Sequence, residues 1–257
     1  MDLGLKGKAV VVSGGARGLG AGIALALAKE GALPIIVSRS RNEELEAQLG
    51  ALGGYRFYEF NLRNYQEIEG LCKEILKEYP DIYGLVNNAG VNDNLPIETT
   101  PVDRLIESYK DNLFHYYELT RCLLPSLKRN KGSILNIVSK VALTGQGSTS
   151  AYASAKAAQV GWTREWACAF AKDGVRVNAL APAEVLTPLY KRWLDNFPNP
   201  DEKYQAIASK IPLGKRFSSI EEIADMSVFV LSPRSSHTTG QLLFVDGGYV
   251  HLDRALS

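Results

Sequence analysis

At 257 residues, with 46% hydrophobic and 22% charged content, the chain can bury a substantial core, and its length suits one large α/β domain or two small ones. A formal net charge of +1 supplies no global field for nucleic acid or an anionic membrane, so neither is an expected partner and any bound anion must be held by a local arrangement. Cys72, Cys122 and Cys168 are too widely spaced for a disulfide framework or paired metal ligands, and His115, His237 and His251 are equally scattered, so no metal site is expected.

The first residues lack a basic flank followed by an apolar run and a cleavage site, and no apolar stretch reaches the ~18 residues of a membrane span, which makes the cytoplasm the default. Short β-branched runs then alternate with helical patterns. Strands are expected at 9–13, 34–38, 55–60, 84–87, 133–138, 175–180 and 242–245. Their near-continuous apolar character, as in Ile134-Leu135-Asn136-Ile137-Val138, suits strands covered on both faces. The expected fold is therefore α/β, a doubly wound, parallel, seven-stranded sheet with helices on both faces, forming one domain over 1–257. Thr100 before Pro101 reads as an N-cap and first-turn proline, opening a long helix that carries Asn112 and runs to about Pro125. The segment 184–209, with Pro188, Pro198 and Pro200 and the aromatics Tyr190, Trp193 and Phe197, breaks the rhythm and reads as a short helical insertion placed to act as a lid.

Between the first strand and an alanine-rich helix lies Ser13-Gly14-Gly15-Ala16-Arg17-Gly18-Leu19-Gly20. Glycines there let the backbone approach a pyrophosphate, and the helix start presents unpaired N–H groups and the positive end of its dipole. An ordinary glycine turn is the alternative, but the strand-to-helix position favours a dinucleotide. Ser38 and Arg39 end the second strand, where a carboxylate would accept the ribose hydroxyls of NAD and repel a phosphate. A hydroxyl with two guanidiniums, Arg17 and Arg39, suits the 2′-phosphate of NADP instead, so NADP is the expected coenzyme with NAD second; solvated surface arginines are the alternative.

The Gly14, Gly18 and Gly20 spacing, Asn87-Asn88-Ala89-Gly90 after the fourth strand and Tyr152-x-x-x-Lys156 on a later helix together resemble the short-chain dehydrogenase/reductase family over essentially the whole chain. The resemblance implies a Rossmann-type fold with nicotinamide coenzyme contacts from Gly14, Arg17, Gly18, Leu19 and Gly20, from Ser38 and Arg39, from Asn61 and Leu62, and from Asn88, Ala89 and Gly90. It adds Tyr152 and Lys156, and Pro182, Val185 and Thr187 around the nicotinamide. Asn61 departs from the family's Asp, though its amide oxygen can still accept from the adenine amine.

Oxidation of a carbinol needs a base, an orienting hydrogen bond and an exit for the proton. Tyr152 and Lys156, four apart on a helix, share a face, so the ammonium is expected to lower the phenol from its usual ~10 and make Tyr152 the base. By resemblance, Ser139 bonds the substrate oxygen and Asn112 holds a water linking Lys156 to solvent; a strand-end serine and a helix-surface asparagine are the plain alternatives. Loss of Tyr152 or Lys156 would have marked an idle coenzyme-binding regulator, and both are present.

Within the family the likeness is nearest to bacterial dehydrogenases that oxidise L-fucose and related aldoses at the anomeric carbon, carried by segments such as Gly90-Val91-Asn92-Asp93 and the tail from Phe244 to Arg254. The usual Pro-Gly after the sixth strand is Pro182-Ala183, followed by Glu184. Asn92, Lys140, Gln146 and Glu184 are candidates for a polar wall and Trp193 for the apolar face of a pyranose; turn-forming, solvated or core roles are the alternatives. A ketone or ketoacyl reductase is the competing activity. Relatives imply a homotetramer, and Tyr116, Tyr117, Trp162, Trp166 and Phe170 provide apolar surface for an interface or a core.

Overall fold

The computed structural model describes residues 1–252; Asp253 and Arg254 of the tail likeness lie outside the described residues. Strand and helix alternate from the start: β1 (Ala9–Ser13), α1 (Gly18–Lys29), β2 (Leu33–Ser38), α2 (Glu43–Ala51), β3 (Arg56–Glu59), α3 (Ile68–Glu78) and β4 (Ile82–Asn87). There follow α4 (Val102–Asn112), α5 (Phe114–Arg129), β5 (Ser133–Ile137), α6 (Val141–Thr144), α7 (Ser150–Phe170), β6 (Arg176–Pro182), α8 (Pro188–Leu194), α9 (Pro200–Ala208), α10 (Ile220–Leu231) and β7 (Leu242–Val245). The strands form a parallel sheet in the order β3-β2-β1-β4-β5-β6-β7, the Rossmann-type architecture expected.

The apolar runs divide between two cores because successive strand side chains point to opposite faces. Val11, Ile35, Leu85 and Ile134 pack with Leu71 and Ile75 of α3, Leu119 and Leu123 of α5 and Trp166 of α7. Their neighbours Val10, Val12, Val86 and Leu135 pack with Ile23 and Leu27 of α1 and Ile223 and Val228 of α10. Burial on both faces is why the strands need no alternation of polar and apolar residues. The strand order reverses at β1 and β4, so the C-terminal ends of these two strands border the crevice where a doubly wound sheet accepts its ligands.

The helix expected from Thr100 to Pro125 is corrected in three ways. Pro101 itself is the N-cap, and the Thr100 hydroxyl donates back to the Pro96 carbonyl at 2.5 Å instead of capping. The chain breaks at Leu113, whose backbone leaves the helical region (φ −128°, ψ −56°), so two helices meet just after Asn112. The second continues through Pro125 to Arg129: the proline removes one backbone donor, but Leu119, Leu123 and Leu127 on the buried face carry the helix past it. The expected insertion holds α8 and α9, whose first-turn prolines Pro188 and Pro200 follow side-chain caps from Thr187 and Asn199. No helix among the described residues is long and apolar enough to cross a membrane.

Candidate active site

At the end of β1 the chain turns under the N-terminus of α1. Gly14 (φ +64°) and Gly18 (φ +56°) take left-handed conformations that favour glycine. A Cβ on Gly14 would lie 3.0 Å from the Ala89 backbone, so the turn fits only without one. Gly20 lets α1 close onto the Gly14 carbonyl. Asn88 locks the two strand ends: its backbone N–H donates to Ser13 Oγ at 2.9 Å and its amide to the Ser13 carbonyl at 3.0 Å. Beneath it, Asn87 donates to Asn136 at 3.0 Å and Asn136 to Thr163 at 3.0 Å, a buried amide ladder between β4, β5 and α7. Arg17 occupies the N-cap of α1 without a side-chain cap bond, and the first turn has no acidic residue, so the N–H groups of Gly18, Leu19 and Gly20 are left for an anion. The cradle fits a pyrophosphate.

Ser38 stands half-buried at the end of β2, and Arg17 and Arg39 are exposed. Arg41, by contrast, is held by Glu46 at 2.6 Å and packs over Phe57. Asn61 accepts from the Arg63 N–H at 3.2 Å, while Leu62 faces the core. At the other end, Pro182 closes β6, Val185 bridges to Ser218, and Thr187 caps α8 by accepting from the Tyr190 N–H at 3.2 Å. Thr187 lies over the glycine loop, 3.9 Å from where a Gly18 Cβ would be.

Tyr152 and Lys156 come from one face of α7, Ser139 from the end of β5 and Asn112 from the end of α4, and the fold brings the four together. Ser139 stands close enough to the Tyr152 phenol to hold its value down. Lys156, fully buried, donates to the Ile137 carbonyl at 2.9 Å and to the Tyr116 hydroxyl at 3.3 Å. Gly90 lies between Asn112 and Lys156: a Cβ there would be 2.8 Å from Asn112 Oδ1 and 3.6 Å from Lys156 Nζ. Asn112 itself accepts from the Val91 N–H at 2.8 Å and donates to the Ser108 carbonyl at 3.0 Å, so its side chain fixes the loop after β4.

The expected lowering of the phenol is overturned. Burial pushes Tyr152 up to about 12, Ser139 opposes this only in part, and the Asp93 carboxylate adds to it. Lys156 does not offset the burial because its nitrogen turns to Ile137 and Tyr116, 5.7 Å from the Tyr152 ring centroid, and because burial pushes Lys156 itself down to about 7.

The substrate candidates separate. Lys140 and Glu184 meet, but as each other's partners in a buried ion pair, which corrects a solvated role for either. Asn92 accepts from the Asn94 N–H at 3.2 Å, a turn role. Gln146 is exposed on the loop before α7. Trp193 packs edge-on against Tyr190 and Phe197 inside the insertion, with 38% of its surface exposed. Sequence reading passed over Tyr116, which it took for interface or core although it shares the Lys156 ammonium, and Gln159, which donates to the Asn112 carbonyl at 2.5 Å. Gln159 lies seven residues after Tyr152 and three after Lys156 on α7, so helical spacing was the available signal.

The family described as enoyl-(acyl carrier protein) reductase, of the short-chain alcohol dehydrogenase type, matches residues 14–250. A 3-oxoacyl-[acyl-carrier-protein] reductase of Thermotoga maritima is 32% identical, covering 96% of this chain and 99% of its own. An L-fucose dehydrogenase of Oryctolagus cuniculus is 34% identical, covering 94% and 84%. Among solved structures, the Cj0485 dehydrogenase is 62% identical with a TM-score of 0.98, covering 100% of this chain and 99% of that one. The L-sorbose reductase of Gluconobacter frateurii, solved with NADPH and L-sorbose, is 28% identical with a TM-score of 0.93, covering 98% and 100%. With the glycine loop, the Asn-Asn-Ala-Gly turn and the Ser139–Tyr152–Lys156 cluster in one crevice, these likenesses make the chain a member of the short-chain dehydrogenase/reductase family, a nicotinamide-dependent oxidoreductase acting on CH–OH groups.

Proposed function

We propose that the chain oxidises L-fucose or a related aldose at the anomeric carbon to the aldonolactone, using NADP in preference to NAD, as a cytoplasmic homotetramer. The observation that carries the chemistry is the Ser139–Tyr152 hydroxyl pair beside the buried Lys156. The nicotinamide, when bound, accepts the hydride. Ser139 orients the sugar hydroxyl and Tyr152 Oη takes its proton, while Lys156 stays anchored on the Ile137 carbonyl. Asn112 holds the loop that passes Lys156 and keeps the proton's exit open. Gly14, Gly18, Leu19 and Gly20 hold the pyrophosphate, with Asn88, Ala89 and Gly90 flanking it. Arg17, Ser38 and Arg39 take the 2′-phosphate, Asn61 and Leu62 border the adenine, and Pro182, Val185 and Thr187 the nicotinamide. Arg17 and Arg39, exposed and without an ion-pair partner among the described residues, support NADP, as does the NADPH complex of the sorbose reductase.

The sugar class is supported by the L-fucose dehydrogenase and sorbose reductase likenesses; in this reading Asn92, Lys140, Gln146, Glu184 and Trp193 form the sugar's surroundings, with the 184–209 insertion as lid over one domain. Tyr117, 46% exposed and packed against Trp162, supports the assembly. The 3-oxoacyl reductase likeness favours a second reading, reduction of a ketoacyl thioester. Absorbance of the reduced nicotinamide over a panel of L-fucose, D-arabinose, L-galactose and acetoacetyl thioester, with each coenzyme, decides between them. The expected result is oxidation of the sugars; inertness towards all three sugars with turnover of the thioester overturns it.

A further inference from the structure

Lys140 directly follows Ser139 at the end of β5, and Glu184 lies two residues beyond Pro182 at the end of β6. The two strand ends stay joined there by the Lys140 N–H, which donates to the Pro182 carbonyl at 3.0 Å. The Lys140 ammonium donates to Glu184 Oε1, and each side chain is only 11% exposed. Two aromatics from other elements enclose the pair. The Tyr249 ring, past β7, has its centroid 4.0 Å from the Lys140 nitrogen, and burial together with the nearby Glu184 charge holds the Tyr190 phenol of α8 above its ordinary value. None of this is needed for proton transfer between substrate and Tyr152. It does fix the charge carried by the residue that follows Ser139.

A buried charge without a partner is expensive, and a buried lysine facing a substrate cleft recruits an anion. With Glu184 ionised beside it, Lys140 has no such need, and a substrate carboxylate brought to Lys140 would also meet the Glu184 charge. Neutral hydroxyls can still use the lone pairs of the carboxylate that its partners leave open. We propose that Glu184 is a specificity-determining residue that neutralises Lys140, so that the site takes neutral polyhydroxy substrates and refuses those carrying a carboxylate, such as uronates and hydroxy acids. The substrate class rests on the sugar reading above; the neutralisation does not.

The test is calorimetric binding of L-galactose and L-galacturonate, which differ by the carboxylate, to the NADPH-saturated protein, where no turnover accompanies binding. Wild type is expected to favour the neutral sugar. Glu184→Gln should raise galacturonate affinity by about ten-fold or more while changing galactose less, and Lys140→Met/Glu184→Gln should lose the gain. Unchanged galacturonate affinity in a folded Glu184→Gln protein, or a gain that survives in the double variant, overturns the proposal. Should Glu184→Gln not fold, Lys140→Met serves: Glu184 alone should then draw the cationic L-galactosamine, and unaltered discrimination between galactosamine and galactose rejects the idea. Repeating the Glu184→Gln measurement with 3-hydroxybutyrate against 1,3-butanediol separates the two readings. A charge switch there, with every aldose inert, keeps the neutralisation and removes the sugar.

Discussion

Lys156 and Tyr152 share a face of α7, yet the lysine nitrogen points to the Ile137 carbonyl, 2.9 Å away, and lies 5.7 Å from the Tyr152 ring centroid. The two groups therefore titrate in opposite senses: burial raises the phenol to about 12 and lowers the ammonium to about 7. A phenol this high is a scarce base at neutral pH. The positive charge of an oxidised nicotinamide bound nearby would favour the phenolate.

Tyr152→Phe should accordingly lower turnover by about 10²–10⁴ while leaving coenzyme affinity nearly intact. The ultraviolet phenolate signal that separates wild type from Tyr152→Phe should titrate near 12 in the protein alone and move to lower pH on saturation with oxidised coenzyme. Near-normal turnover in the phenylalanine variant would sink the assignment of the base.

Lys156 also predicts a stability profile. Its folded-state value of about 7 lies below the ordinary 10.5, so between these limits the unfolded chain holds a proton that the folded chain has shed. Stability from this group therefore rises with pH across that window. At about 1.4 kcal/mol per pH unit, the stability of wild type relative to Lys156→Met should climb by up to about 5 kcal/mol from pH 7 to 10.5. Tyr152, raised from 10 to about 12, works the other way above pH 10. Urea denaturation of the two proteins at pH 6.5, 8 and 9.5 reads the difference, and a flat difference contradicts the buried, deprotonating lysine.

Much of the fold was legible because its strands are buried on both faces and write themselves as apolar runs; β1 and β7 lie where expected, and β4, β5 and β6 differ by one or two residues at their ends. The break at Leu113 was not legible, since nothing in Asn112-Leu113-Phe114 forbids a continuous helix, and only tertiary contacts with Ser108, Val91 and Gln159 pin Asn112. Helical spacing put Tyr152 and Lys156 on one face but carries no information about where a flexible ammonium points. The Lys140–Glu184 pair joins residues 44 apart just beyond the ends of neighbouring strands, and no local pattern announces such a contact.

Arg39→Ala should raise the Michaelis constant for NADP by about ten-fold or more, because a charge-assisted hydrogen bond contributes roughly 1.5–3 kcal/mol. NAD, without the 2′-phosphate, should be little affected. Steady-state kinetics with both coenzymes checks this, and equal weakening of the two, or a wild-type preference for NAD, contradicts a phosphate role for Arg39.

His115 sets the acid limb of stability. Its ring is 1% exposed, and burial, reinforced by the Lys156 charge, pushes it down to about 4 although its Nε2 lies 3.0 Å from the Asp111 carbonyl. That carbonyl can only accept, so Nε2 carries the proton of the neutral ring, and Nδ1 is buried without a hydrogen-bond partner among the described residues. A second proton must therefore enter a site that offers it nothing. Between pH 6.5 and 4 the unfolded chain gains that proton and the folded chain does not, so stability is lost as pH falls through this window, by up to about 3 kcal/mol. Glu46 and Glu222, held down to about 2 by Arg41 and Arg216, contribute only below their ordinary carboxylate range, and weakly because both pairs face solvent. The two windows are thus separable. In His115→Gln, denaturation midpoints should fall less steeply than in wild type between pH 6.5 and 4.5 and in parallel with it below pH 4. Parallel curves throughout would mean that the imidazole finds a partner for its second proton inside the fold.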